Sequence, residues 1–309
     1  MTETANPYKR FFRLAGSTVV TACLALVAWQ IYRYAPELGA VLSRKGVVPL
    51  LAVSGAVYAL VFAILAVVWH LLLTRVFGGR ARFRDAYAVY ARTSIGKYLP
   101  GNVGHVVGRQ VMGKTKGIAQ ASIAGASVME IVCQTCAAGM IFLWADLPFE
   151  TNIPPWVYVA SSLILLLLVP VAVIGVGRRR NIEALADRSF RTLYGWLCAA
   201  CFLDMGFFLF TGSLLYVLAA GAGLDMHLGL PAVVAVYSIS WFLGLVTPGA
   251  PAGAGVREAV IISMLGLTMD HSQALAVAVL FRIMTTAGDV LFFGTGFLPW
   301  FRTAGRPAN

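Results

Sequence analysis

The stretch Gly96-Lys97-Tyr98-Leu99-Pro100-Gly101-Asn102-Val103-Gly104-His105-Val106-Val107-Gly108-Arg109 interrupts an otherwise apolar chain with helix breakers, a turn and two cations. Its punctuation, Gly-x3-Pro-Gly-x7-Arg, returns 148 residues later at Gly244, Pro248, Gly249 and Arg257. Pro and Gly break helices, and Arg is costly in hydrocarbon, so such a segment belongs at a buried, water-lined place in a membrane protein. Broken segments at matching positions of two halves point to a transporter's binding site.

The surrounding composition sets the class. The chain has 309 residues, of which 59% are hydrophobic and 12% charged, against about 25% charged in soluble domains. Apolar runs long enough for a bilayer-crossing helix predict six spans, at about 15–35, 47–74, 119–145, 156–177, 192–220 and 273–300. The first reads as a retained span, because Lys9, Arg10 and Arg13 precede it and Tyr32, Arg33 and Tyr34 anchor its far end without a cleavage site. Residues 1–14 and 302–309 read as short cytoplasmic tails around a single domain at 15–301.

Net charge is +11, and its placement orients the chain. The connection after the second span carries Arg75, Arg80, Arg82, Arg84, Arg92, Lys97, Arg109, Lys114 and Lys116, and that after the fourth carries Arg178, Arg179, Arg180, Arg188 and Arg191. Those around Asp146 and Asp225 carry no Lys or Arg. A cytoplasmic amino terminus satisfies the positive-inside rule everywhere except at Arg33, Arg44 and Lys45. Both termini are then cytoplasmic. Nucleic acid is rejected as a partner, since the basic residues flank spans. Cys133/Cys136 and Cys198/Cys201 share helix faces at i,i+3, but within apolar runs they read as small hydrophobes, and no metal or cofactor is assigned. Trp29, Trp69, Trp144, Trp156, Trp196 and Trp300 read as belt residues near span ends.

The predicted fold is an all-α polytopic membrane protein, with six full transmembrane helices plus two re-entrant helical hairpins at about 83–116 and 230–266. In the first, Arg82, Phe83, Arg84, Tyr87, Tyr90 and Arg92 suit an amphipathic interfacial helix, followed by a Pro-Gly-Asn turn and a short return limb. In the second, the unwound stretch 247–255 separates two half-length limbs, the return limb being 256–265. Three spans lie between the inserts, so they enter from opposite faces as an inverted repeat.

Ionisable residues within the membrane are the functional candidates. They are Glu130, Asp204, Arg257, Glu258, Arg282 and Asp289, with Arg109 at the lip of the first hairpin. The alternative use of such charges is ion pairing that pins helices together, and Asp204 suits a helix-packing hydrogen bond. Arg257 begins a limb beside Gly249, Gly253 and Gly255, where free backbone N–H groups and a guanidinium fork make an anion cradle. Asn102 and His105 stand similarly near Arg109, and Pro100, Gly101 and Pro248 complete the two turns. Trp241 reads chiefly as a packing residue.

These strings, Lys97-Tyr98-Leu99-Pro100-Gly101-Asn102 with Gly108-Arg109, then Glu130, then Thr247-Pro248-Gly249 with Gly253, Gly255 and Val256-Arg257-Glu258, resemble the lysylphosphatidylglycerol synthase/flippase transmembrane family. That family includes the flippase region of multiple peptide resistance factor proteins and stand-alone relatives. The resemblance covers about residues 12–300 and implies the lipid-moving part, without the soluble aminoacyl-transferase domain of some relatives. The family's usual Gly-Gly-Leu-Gly before Arg-Glu is replaced here by Ala250-Pro251-Ala252-Gly253-Ala254-Gly255, which leaves the lipid open. The expected function is therefore a non-enzymatic flippase for an anionic phospholipid or polyprenyl-phosphate-linked lipid. Arg257, Arg109 and Arg282 would hold its phosphate, with Glu130, Glu258 and Asp289 balancing them. The rivals are a lipid-carrier-binding accessory subunit of a membrane glycosyltransferase system, with the glycosyltransferase or a lipid-modifying enzyme as partner, and an integral-membrane lipid transferase.

Overall fold

The computed structural model describes residues 42–99, 103–145, 189–224, 226–247 and 250–301, with 32, 39, 157, 161, 171 and 175 as isolated positions. The expected spans at 15–35 and 156–177, both tails, and Pro100, Gly101, Asn102, Pro248 and Gly249 lie outside this description, wholly or nearly so.

Four long apolar helices form the frame: α1 (Val47–Leu71), α4 (Gln120–Leu143), α5 (Phe190–Gly221) and α8 (His271–Thr295). Each is long and apolar enough to cross a membrane, and together they make this a multi-pass membrane protein. α1 continues through a π-helical turn at Leu72–Val76, giving 30 residues with 44% of its apolar window buried. Its outer face presents Val53, Val57, Leu60 and Val67, as α5 presents Phe202, Leu209, Phe210 and Val217. Apolar side chains on that scale belong against lipid.

Between the frame helices sit two helix–break–helix units. The first is α2 (Phe83–Ser94), a 3-10 turn at Ile95–Tyr98, and α3 (Gly104–Thr115). The second is α6 (Leu230–Val246), a 3-10 turn at Pro251–Gly253, and α7 (Val256–Leu265). The two limbs of each unit pack on one another, and all four are shorter than the roughly 20 residues of a spanning helix. They are rooted at opposite ends of α8. Arg84 Nε donates to the Trp300 carbonyl at 2.8 Å and Arg92 Nε to the Gly296 carbonyl at 2.7 Å, which ties α2 to the end of α8. α7 instead leads into the start of α8 through a short connection. The tips meet midway, where Ile95, Tyr98 and Ala252 form a small apolar cluster.

Three expectations are corrected. α2 is not an interfacial helix: eight of its twelve residues are buried, because its apolar face is taken up by α1 and α8. Arg109 is not at a lip but is 3% exposed inside the bundle. Trp69 is no belt residue; it is fully buried and its indole N–H donates to Ser127 Oγ at 3.2 Å. For Arg109 and Trp69 a polar group interior to the bundle, Glu130 and Ser127 in turn, meets a side chain that composition had placed at the interface.

Close helix crossings depend on glycine. A Cβ at Gly288 of α8 would lie 2.4 Å from the Tyr58 ring and 2.7 Å from the Gly55 carbonyl of α1. A Cβ at Gly212 of α5 would lie 2.7 Å from the Val234 Cα of α6. Small residues let membrane helices approach so closely that backbone and side chain interdigitate. We expect Gly288→Leu to lower the thermal unfolding midpoint in detergent by the equivalent of about 1–3 kcal/mol or more, as overpacking does. Gly294→Leu on the same helix, where nothing lies within 4 Å of the added Cβ, should leave it nearly unchanged.

Candidate functional site

The site is a cavity of about 80 Å³, counted as space for water centres, enclosed between the two broken units and walls from α1, α4 and α5. One water needs roughly 10–15 Å³ on that measure, so several fit. Both repeat arginines, Arg109 and Arg257, line it, with Lys97, Glu130, Tyr90 and Tyr237. The chain breaks at 95–98 and 251–253 bring them there, because a continuous helix would carry its cations past the middle of the bundle.

Most of the charge is internally paired. Arg109 Nη1 donates to Glu130 Oε2, and Tyr90 Oη donates to the other oxygen of Glu130 at 2.5 Å. The Arg109 guanidinium also lies 3.9 Å from the Tyr90 ring centroid, a distance at which the ring's negative face attracts a cation. Lys97 Nζ reaches Asp289 Oδ1 at 2.7 Å, and Tyr98 and Tyr58 hydroxyls donate to Asp289 at 2.7 and 3.4 Å. Each pair thus links the first unit to the frame, Arg109 to α4 and Lys97 to α8.

The second unit is held differently. Glu258 accepts from the Gly255 backbone N–H at 2.6 Å, which caps α7, and its Oε1 stands 3.3 Å from Arg282 Nε. Arg282 Nη1 also donates to the Ala252 carbonyl at 3.3 Å. This holds Ala252 at φ 50°, where it is the one non-glycine with positive φ among the described residues. That conformation is unfavourable for an L-residue and persists when its surroundings impose it. Arg282 is therefore a structural partner of the second break and does not line the main cavity.

Arg257 differs from the other cations. Among the described residues it has no ion pair, and its Nε is buried without a hydrogen-bond partner. Its stem lies in a slot between two glycines: a Cβ at Gly253 would meet Arg257 Nε at 2.6 Å, and one at Gly244 would meet its Cγ at 2.7 Å. These glycines serve the arginine as much as the turn. The two glycines also touch each other, a Cβ at Gly244 lying 3.1 Å from Gly253 Cα, and the equivalent contact recurs in the first unit, where a Cβ at Gly96 would meet the His105 backbone N at 2.7 Å. Gly96 with His105 and Gly244 with Gly253 are both offset by 148 residues, so the sequence repeat is also a packing repeat. In the first unit the position equivalent to Gly253 carries the His105 side chain, and Arg109 extends to Glu130.

Of the expected site residues, the structure gathers Arg257, Arg109 and Glu130 around one cavity. It places Glu258 and Arg282 beside an adjoining recess that Arg257 also borders, and sets Asp289 behind Lys97. Gly253 shapes the arginine slot and Gly255 caps α7. Lys97 was missed, since its position among other basic residues read as interfacial; its place four residues after Thr93 in a helix running into the bundle was the available signal. Tyr58 and Tyr237 carried no sequence signal, while Tyr90 and Tyr98 stood in the segments singled out there without being read as site residues. Asp204 does not make the packing hydrogen bond expected of it, as both its oxygens are unpartnered.

The Arg109–Glu130 pair has side chains only 4% exposed, so removing one partner strands a buried charge. We expect Arg109→Met to cost about 3–5 kcal/mol of stability. The double replacement Arg109→Met/Glu130→Met should recover most of it, measured by thermal or denaturant unfolding in detergent.

A search of curated proteins gives no match. The sequence profile described as "Lysylphosphatidylglycerol synthase TM region" matches residues 13–292, which is nearly the whole chain and includes both broken units and every charged residue of the cavity. The chain belongs to the lysylphosphatidylglycerol synthase transmembrane-region family.

Proposed function

We propose that this protein carries an anionic lipid between membrane leaflets, holding its phosphate on Arg257 in the cavity while the acyl chains stay in the bilayer. The observation behind this reading is the cation left over. Among the described residues, Lys97, Arg109 and Arg282 are matched by Asp289, Glu130 and Glu258 in turn, while Arg257 faces the cavity without an ion-pair partner of its own. An unpaired guanidinium at the base of a short helix is suited to a phosphate, since its planar fork and the helix's free N–H groups both donate. Family membership supports a lipid-related role.

In this reading the broken units are re-entrant hairpins of opposite sense among six full spans of a bacterial inner-membrane protein, with both termini cytoplasmic. Their meeting point at Ile95, Tyr98 and Ala252 is the apolar seal that parts on either side in turn. The phosphodiester of a phospholipid and the phosphate of a polyprenyl carrier share the chemistry that Arg257 recognises. The step is transfer between leaflets, with no covalent change to the lipid.

The test uses the full chain reconstituted in phosphatidylcholine vesicles with fluorescent phosphatidylglycerol or a polyprenyl phosphate as probe. Arg257→Gln should slow flipping about ten- to hundredfold, which corresponds to roughly 1.5–3 kcal/mol for a hydrogen bond to a charged group. Equal rates for the two proteins refute the role of Arg257. Tight lipid binding with no flipping by wild type would instead mark an accessory lipid-carrier-binding subunit.

A further inference from the structure

Asp204 has no part in the pairing described above. It lies within α5 with no exposed surface, and neither carboxyl oxygen has a hydrogen-bond partner. Phe207, three residues on, is part of the cavity wall, and residues three apart share a helix face. Asp204 therefore sits one helical turn from the cavity lining.

The elements packed around it bring no cation to its oxygens. α4 contributes Glu130, Cys133 and Cys136, α5 itself Cys201, and α2 Tyr90, all within electrostatic reach. From α1, Tyr58 packs on Phe207, and from α6, Tyr237 packs on Phe208. Arg75 of the π-helical turn lies over Trp196, two turns away. On α8, Asp289 and Arg282 are engaged by Lys97 and Glu258. A carboxylate in this setting would be a bare charge in an apolar interior, whereas the acid is a neutral group of ordinary cost.

We propose that Asp204 is a proton-binding site, loaded in the conformation described here and emptied when the hairpins part, so that lipid movement is coupled to protons. Glu130 is the gateway, because it is the carboxylate that both lines the cavity and lies within electrostatic reach of Asp204. While the lipid is absent, both oxygens of Glu130 are taken up by Arg109 and Tyr90. A lipid phosphate on Arg257 that also draws Arg109, across the same cavity, away from Glu130 frees Glu130 to accept a proton. The O–H bond of Asp204 then breaks, its proton passes to Glu130 and on to cavity water, and it leaves as hydronium. The carboxylate left behind regains a proton from the other side before the bundle closes over it. This rests on the anionic-lipid reading of the cavity, and it adds the ion that drives the cycle.

The experiment measures flipping of fluorescent phosphatidylglycerol by the full chain in vesicles, with and without an imposed pH gradient. Wild-type flipping should rise several-fold with the gradient and return to its base rate on adding a protonophore. Asp204→Asn should flip at one rate in both conditions, and Asp204→Glu should restore the response. A wild type indifferent to the gradient, or an Asn variant that still responds, overturns proton coupling and leaves the lipid reading standing. A wild type that does not flip lipid overturns both. A second measurement needs no variant to fold: the infrared carbonyl band of a protonated carboxylic acid should persist in wild-type protein in alkaline buffer. Its absence overturns the proposal.

Discussion

The structure depends on local neutralisation of charge in a place where water is scarce. Three cations inside the bundle each sit against a carboxylate on another element, and the elements so joined are the broken units and the frame helices. An isolated charge at this depth costs several kcal/mol, and losing one partner of a buried pair costs about 3–5. The pairs therefore do more than tolerate their burial. They fix how far each hairpin reaches into the bundle, and so where the cavity lies.

The two halves use that constraint unequally. The first hairpin is held along its length, by Arg84 and Arg92 at the end of α8, by Lys97 at its tip and by Arg109 on its return limb. Among the described residues the second has one ionic link, Glu258 to Arg282, and its break is glycine-rich. A shared sequence pattern has thus produced one well-anchored arm and one with a free cation.

Much of this was legible in the sequence, for physical reasons. Long apolar runs have few alternatives to helix, so α1, α4, α5 and α8 were expected within a few residues of where they lie. Pro and Gly break helices wherever they stand, which gave the two interruptions and the return limb beginning at Val256. What could not be read was which side chains meet. Composition cannot distinguish a helix that is amphipathic toward lipid from one that is amphipathic toward its neighbours, so α2, Trp69 and Arg109 were placed too near the surface. Lys97 was lost for the same reason. The slot formed by Gly244 and Gly253 is a tertiary contact nine residues apart in sequence, and no local rule assigns a helix glycine and a turn glycine to the flank of an arginine.

That slot has a thermodynamic consequence. A solvent-exposed arginine carries about 2 kcal/mol of rotamer entropy, and ordering it on a ligand spends binding energy. Arg257 has had its stem fixed between two backbones during folding. An anion binding there, as proposed above, would meet a cation already ordered, and the attraction between them would go into affinity rather than into immobilising a floppy chain.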